Sequence, residues 1–258
     1  MDDVVLSSTG LTRTFGGLVA VDDVTFEVRR GEIFGVIGPN GAGKSTLFNA
    51  IAGVVPPSAG QVSMNGRRID RLPTHKRSWL GLGRTFQAAQ SFPTQTVMES
   101  LLSARTARRR GISGWLRSAS PRDDVEVAQD IAAFVGLAQV VQKTPAELTN
   151  LEQQKLAIAM SLATECSVLL LDEPSSGLVE SEVSELMAFI RKIRDSGITL
   201  VVIDHKMRLM MQICDRIMVM ASGRQITVGT PAEIAAHEDV IDVYLGRPSA
   251  TLTVEGGK

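Results

Sequence analysis

Gly38-Pro39-Asn40-Gly41-Ala42-Gly43-Lys44-Ser45-Thr46 is the stretch on which the fold turns, and through Ser45 it fits the pattern G-x-x-x-x-G-K-[ST]. Ile33-Phe34-Gly35-Val36-Ile37 just before it is an apolar run of buried-strand type. Leu47-Phe48-Asn49-Ala50-Ile51-Ala52 just after it has helical spacing, so the motif sits at a strand-to-helix turn, the context a phosphate-binding loop requires. Glycines there let the backbone bend until successive N–H groups face one concavity, and the positive end of the next helix adds to the attraction for phosphate oxygens. In that arrangement Lys44 reaches the β and γ phosphates and the Ser45 hydroxyl holds Mg²⁺. An ordinary Gly-rich turn is the competing reading, and each partner motif downstream weakens it.

Val168-Leu169-Leu170-Leu171-Asp172-Glu173 is the second anchor, an apolar strand ending in two acids. A strand buried on both faces delivers its terminal carboxylates beside the phosphate loop, where Asp172 can join the Mg²⁺ shell and Glu173 can polarise an attacking water. His205 directly follows a further strand, Thr199 to Asp204, and so falls at the same carboxyl edge of a parallel sheet, the usual ligand crevice. Its expected role is a hydrogen bond to the γ-phosphate and water. His75 and His237 lack such placement and are assigned no role.

The rest of the 258 residues bounds the answer. Hydrophobic residues make up 44% and the formal net charge is −1, which argues against disorder and against a strongly basic nucleic-acid binder. No apolar run approaches the roughly 20 residues that cross a bilayer, and the acidic start Met1-Asp2-Asp3 has no secretion-signal character, so the chain is expected to be soluble by itself. Cys166 and Cys214 have neither metal nor redox spacing and are expected to be inert core thiols. From Val4 to Gly66 the short strands Val4-Val5-Leu6, Val19-Ala20-Val21, Val24 to Val28, Ile33 to Ile37 and Gln61 to Met64, divided by turns, predict a mostly antiparallel β region around the first helix. From Val97 to Ala107 and from Val125 to Val135 the character is helical, with a basic run at Arg105 and Arg108 to Arg110 read as a solvated helix end. From Glu152 onward helices alternate with the strands Val168 to Leu171, Thr199 to Asp204 and Ile217 to Met220, the pattern of a parallel sheet with crossover helices.

The order of phosphate loop, Gly83-Arg84-Thr85-Phe86-Gln87, Leu148-Thr149-Asn150-Leu151-Glu152-Gln153-Gln154, Leu171-Asp172-Glu173-Pro174 and Asp204-His205 resembles the ATP-binding subunit of ABC transporters, from about Leu6 to Gly246. More narrowly, Phe15-Gly16-Gly17-Leu18-Val19-Ala20-Val21, Gly83-Arg84-Thr85-Phe86-Gln87 and Gly229-Thr230-Pro231-Ala232-Glu233-Ile234 with Val240 to Gly246 resemble the branched-chain amino acid importer subfamily. The resemblance implies an α/β fold: a P-loop NTPase core with a parallel sheet, an N-terminal antiparallel β subdomain and an inserted helical subdomain. It implies one ABC ATPase domain over 1–246, with the β-rich and P-loop part at about 1–87, the helical lobe at about 88–165, the remaining core at about 166–246, and a polar tail at 247–258. By position, Phe15 would stack on adenine, Gly38 to Thr46 would bind the nucleotide, Gln87 would touch Mg²⁺ and water, Glu173 would be the general base and His205 the switch histidine. Ser45, Gln87 and Asp172 would form the metal shell. ATP and Mg²⁺ are the implied cofactors. Implied partners are integral membrane permease subunits, a second ABC ATPase subunit and, indirectly, an extracellular solute-binding protein, with no nucleic acid. The place of action would be the cytoplasmic face of the membrane.

The signature segment departs from the family's Leu-Ser-Gly-Gly-Gln. Leu151 is expected to put a branched side chain where glycine lets the backbone approach the partner's nucleotide, and Glu152 to set a carboxylate near a triphosphate. Val179 replaces the usual Asp or Asn, and Asp204 a glutamate. These segments serve the partner's nucleotide, which favours a heterodimer over a homodimer. A nucleotide-binding regulator with little hydrolysis and a non-transport ABC ATPase remain the alternatives.

Overall fold

The computed structural model describes residues 4–85, 94–112 and 121–245. Strands β1 (Val4–Phe15) and β2 (Leu18–Arg29) form a long antiparallel hairpin, extended through β1 by β4 (Ala59–Met64) and β5 (Arg67–Arg68) into a four-stranded sheet. The segments read as separate strands at Val19–Val21 and Val24–Val28 are one strand, with Asp23 in the left-handed region at φ 53°.

The second sheet has six strands in the order β10 (Arg224–Gly229), β9 (Arg216–Ala221), β3 (Ile33–Ile37), β8 (Thr199–Ile203), β7 (Val168–Asp172) and β6 (Leu82–Arg84). All neighbours are parallel except β10 on β9. β3 therefore belongs at the centre of the parallel sheet and not to the antiparallel region with which its sequence position groups it. Every residue of β3 and β8 is buried, which is why neither shows polar alternation.

Helix α1 (Lys44–Ala52) lies between the two sheets, with Leu47, Phe48 and Ile51 in one core cluster with Leu6 and Val24 of the hairpin and Val36 and Val201 of the parallel strands. Helix α2 (Thr74–Trp79) precedes β6. On the other face, α3 (Val97–Ile112), α4 (Pro121–Phe134) and α5 (Asn150–Ala163) share a second cluster with α6 (Glu180–Asp195) and α7 (Met207–Ile213). Helices α8 (Pro231–Ala236) and α9 (Glu238–Leu245) close the described chain.

Arg105 corrects the reading of the basic run as solvated. Its side chain is only 12% exposed and bonds Asp124 of α4 at 3.0 Å, so it ties two helices together. The side chains of Arg108 to Arg110 lie outside the described residues, as does the tail from residue 246. Cys166 and Cys214 are buried and unbridged, and burial pushes the Cys214 thiol far up.

Candidate functional site

The loop after β3 can wrap closely because two glycines meet backbone where a Cβ would collide. A Cβ on Gly38 would lie 2.2 Å from the Met220 carbonyl oxygen, and one on Gly43, at φ 97°, would lie 2.3 Å from that of Ala20. Gly43 is thus where the loop presses on the hairpin that carries Phe15. Backbone bonds from Asp22 N to Gly223 O (2.9 Å) and Gly223 N to Ala42 O (3.1 Å) lock hairpin, loop and the β9–β10 turn together.

Lys44 opens α1 and is buried. Its ammonium donates to the Gly38 and Pro39 carbonyls at 2.7 and 3.0 Å, so it folds over its own loop. Burial lowers its pKa, and the carboxylates of Glu173 and then Asp172 act the other way. That opposition places both acids within electrostatic reach of the ammonium, at the carboxyl edge of the sheet. Ser45 is exposed at the start of the helix and Thr46 half-buried.

Asp172 ends β7 in register with Ile203 of β8, and the Glu173 amide donates to the Ile203 carbonyl at 2.8 Å. Glu173 is exposed and adopts φ 48°, an uncommon region for a side-chain-bearing residue. His205, two residues beyond Ile203, has a side chain 55% exposed. Neighbouring strand ends therefore carry the two acids and the histidine to one edge. Gln87 lies outside the described residues.

Asp204 is buried and bonds Ser175 twice, accepting from the backbone N–H at 3.0 Å and from the hydroxyl at 2.8 Å, and it also accepts from Lys206 N at 2.9 Å. The shorter acid thus pins the turn after Glu173 to the segment holding His205. Arg84 was visible only as part of a string, yet its guanidinium joins Asn49 Oδ1 (2.7 Å) to Asp172 Oδ2 (2.9 Å).

At Leu148–Glu152 the geometry overturns one expectation. Leu151 is 6% exposed and packs in the core, so its side chain does not stand between α5 and a facing molecule. The exposed residues are Thr149 and Asn150. Thr149 and Glu152 close a capping box: Thr149 N donates to Glu152 Oε2 at 2.8 Å and Glu152 N to Thr149 Oγ1 at 3.2 Å. Asn150 Nδ2 donates to Gly177 O at 3.1 Å.

Phe15 sits at the hairpin tip, 44% exposed, with the Arg13 guanidinium 4.4 Å from its ring centroid. Among the described residues no group of three or more His, Cys, Asp or Glu could hold a metal alone. The donors present, a serine hydroxyl and a carboxylate, are the hard oxygens that suit Mg²⁺ shared with phosphates.

A profile of the ABC transporter family matches residues 21–176, and one described as branched-chain amino acid ATP-binding cassette transporter matches 224–250. The chain is 38% identical over 253 residues to the high-affinity branched-chain amino acid transport ATP-binding protein LivG of Escherichia coli K12, covering 95% of this chain and 99% of that one. BraF of Pseudomonas aeruginosa, described in the same terms, is 36% identical over the same shares. The crystal structure of the ADP conformation of MJ1267, an ATP-binding cassette of an ABC transporter, superposes with a TM-score of 0.82 at 26% identity, over 95% of this chain and 99% of that chain. Loop, strand-end acids, histidine and these likenesses agree, and the chain belongs to the ABC transporter family as one of its ATP-binding, ATP-hydrolysing subunits.

Proposed function

We propose that this subunit powers uptake of a small polar solute, branched-chain amino acids foremost, by hydrolysing ATP at the cytoplasmic face of a membrane. The observation that carries the reading is the buried Lys44 ammonium held over its loop just beyond β3, with Asp172, Glu173 and His205 following β7 and β8 at the same carboxyl edge of the parallel sheet. Lys44 and the backbone N–H groups of the loop Gly38 to Thr46, all but that of Pro39, which has none, bind the triphosphate. Ser45, Asp172 and Gln87 would hold Mg²⁺, which would supply charge neutralisation across the phosphates when bound. Glu173 takes a proton from water as the water oxygen attacks the γ-phosphorus and the bond from that phosphorus to the β–γ bridging oxygen breaks, with ADP leaving, and His205 hydrogen-bonds the γ-phosphate. Reconstitution with its permease subunits and binding protein in vesicles tests this: ATP-driven uptake of leucine is expected, and uptake of none of a panel of small polar solutes would refute the importer reading.

Phe15 supplies a face for adenine, with Arg13 behind the ring. Phe15→Ala is expected to weaken ATP binding by about 1–3 kcal/mol, roughly 5- to 150-fold, as for a lost base-stacking aromatic. Phe15→Tyr should bind like the parent. Titration with ATP by calorimetry checks both.

The helical segment from Val97 to Ala163 acts as the lobe that turns toward a second ATPase. A heterodimer is favoured because Glu152 already satisfies the N-terminal amide of Thr149 and adds a negative charge where a partner's γ-phosphate would approach. This chain's own phosphate loop carries no such defect. Turnover by the isolated chain should therefore be slow, and should rise at least tenfold with a partner ATPase that has a glycine-containing signature; equal rates would end the pairing idea. Between α2, β6, α3 and α5 lies a cavity of about 220 Å³, lined by Ala52, Ser78, Arg84, Ala104, Met160 and Ser161 among others. It adjoins the strand that leads into Gln87, and we assign it to a cytoplasmic segment of the permease.

A further inference from the structure

Arg84 reaches both this cavity and the strand-end acid. It ends β6, the edge strand, and contributes to the cavity wall. Its guanidinium forks between α1 and β7, holding Asn49 Oδ1 at 2.7 Å and Asp172 Oδ2 at 2.9 Å, and its carbonyl accepts from Ser161 Oγ of α5 at 3.1 Å. The next residue completes the grip: Thr85 N donates to Leu170 O at 3.0 Å, and Asp172 N donates to Thr85 Oγ1 at 3.3 Å. Backbone and carboxylate of Asp172 are therefore both set by the end of β6. With side chains 11% and 25% exposed, Arg84 and Asp172 meet where water competes only in part.

We propose that Arg84 is a positioning residue: from the wall of the cavity it holds the Asp172 carboxylate through Oδ2, so that the group is set in the orientation in which it would meet the metal, and whatever fills the cavity alters that orientation. The inference rests on the assignment of Asp172 to the Mg²⁺ shell. A planar fork matters here because a point charge cannot hold two acceptors in fixed directions at once. Outer partners that orient a metal ligand are worth about 10- to 100-fold in metal affinity. Removing the arginine also removes a cation near the metal, an effect that alone would tighten binding. The two causes thus predict opposite signs.

The test is the Mn²⁺ affinity of the ADP-saturated full chain, read from the EPR signal of free Mn²⁺, with thermal unfolding and ADP binding in EDTA as controls. Arg84→Ala is expected to weaken Mn²⁺ binding about tenfold or more while ADP binding in EDTA holds. Arg84→Lys should remain weakened, because it keeps the charge without the fork. Unchanged or tighter Mn²⁺ binding in Arg84→Ala, or full recovery in Arg84→Lys, would overturn the proposal. If Arg84→Ala does not fold, Arg84→Lys and Arg84→Gln decide it by the same criterion. Asp172→Asn separates the two levels of the argument: Mn²⁺ affinity equal to the parent's would remove Asp172 from the metal shell, whatever Arg84 does. Finally, Ala104→Met narrows the cavity. It should shift Mn²⁺ affinity in the parent and leave it unmoved in the Arg84→Ala background; equal shifts in both, or none in the parent, would break the link to the cavity.

Discussion

Glu173→Gln is expected to lower ATP turnover by about 10²- to 10⁴-fold, the worth of a positioned general base, and to leave ATP binding close to the parent's. The substitution keeps the shape of the side chain and removes its basicity. Its effect should be clean because the backbone there is held independently of the carboxylate: Glu173 N bonds Ile203 O at 2.8 Å, and Glu173 O accepts from Ser176 N at 3.1 Å. Those bonds keep residue 173 in its left-handed conformation, which for a residue with a Cβ costs roughly 1–3 kcal/mol and persists only when the surroundings impose it. Thermal unfolding should therefore be little changed. Phosphate release, measured in the reconstituted assembly beside ATP binding, checks the result, and turnover within about threefold of the parent's would exclude Glu173 as the base.

The second large effect is on stability, at a residue far from the chemistry. Arg77→Met is expected to destabilise the chain by about 3–5 kcal/mol, the cost of leaving several buried carbonyls without their charged donor. Arg77 is 1% exposed, and its guanidinium donates to the carbonyls of Ala50 (2.6 Å), Ile51 (2.5 Å), Leu72 (2.8 Å) and Asp70 (2.8 Å). Two of these close α1, the helix whose other end begins at Lys44. The carbonyls at a helix C-terminus lack partners in the helix and carry its negative partial charge, so a cation there satisfies them twice over. Burial lowers the pKa of Arg77 against its ordinary value, yet an arginine starts high enough to stay charged where a lysine is more readily neutralised. Arg77→Lys should accordingly recover less than half the loss. For a chain of this size the predicted fall in melting temperature is about 2–4 °C per kcal/mol, roughly 10 °C in all. A drop under about 3 °C would mean that water satisfies those carbonyls equally well.

How much of this could be read in advance depended on whether the physics was local. The loop Gly38 to Thr46 was legible because a turn that must approach other backbone needs glycine at set spacings, and Gly38 and Gly43 meet carbonyl oxygens at 2.2 and 2.3 Å. The strands Ile33–Ile37, Val168–Asp172 and Thr199–Ile203 were legible because burial on both faces leaves an unbroken apolar run. The hairpin was underestimated: only Val4-Val5-Leu6 of β1 reads as strand, since one face is solvated and Ser7 to Thr14 is mostly polar. β6 has three residues, one of them glycine, too few for any period.

By itself, then, the sequence settled the nucleotide loop, the parallel-strand segments and the acids and histidine at their ends, because each follows from spacing along a few consecutive residues. It also carried the family likeness over nearly the whole chain. Only the tertiary structure decided the order of strands with β3 at the centre, the inward turn of Leu151, the two hydrogen bonds that Ser175 donates to Asp204 and the fork of Arg84 between Asn49 and Asp172. Those partners are far apart in the chain. A side chain's local spacing says which face it can take, but what it meets there is set by which distant element packs alongside it.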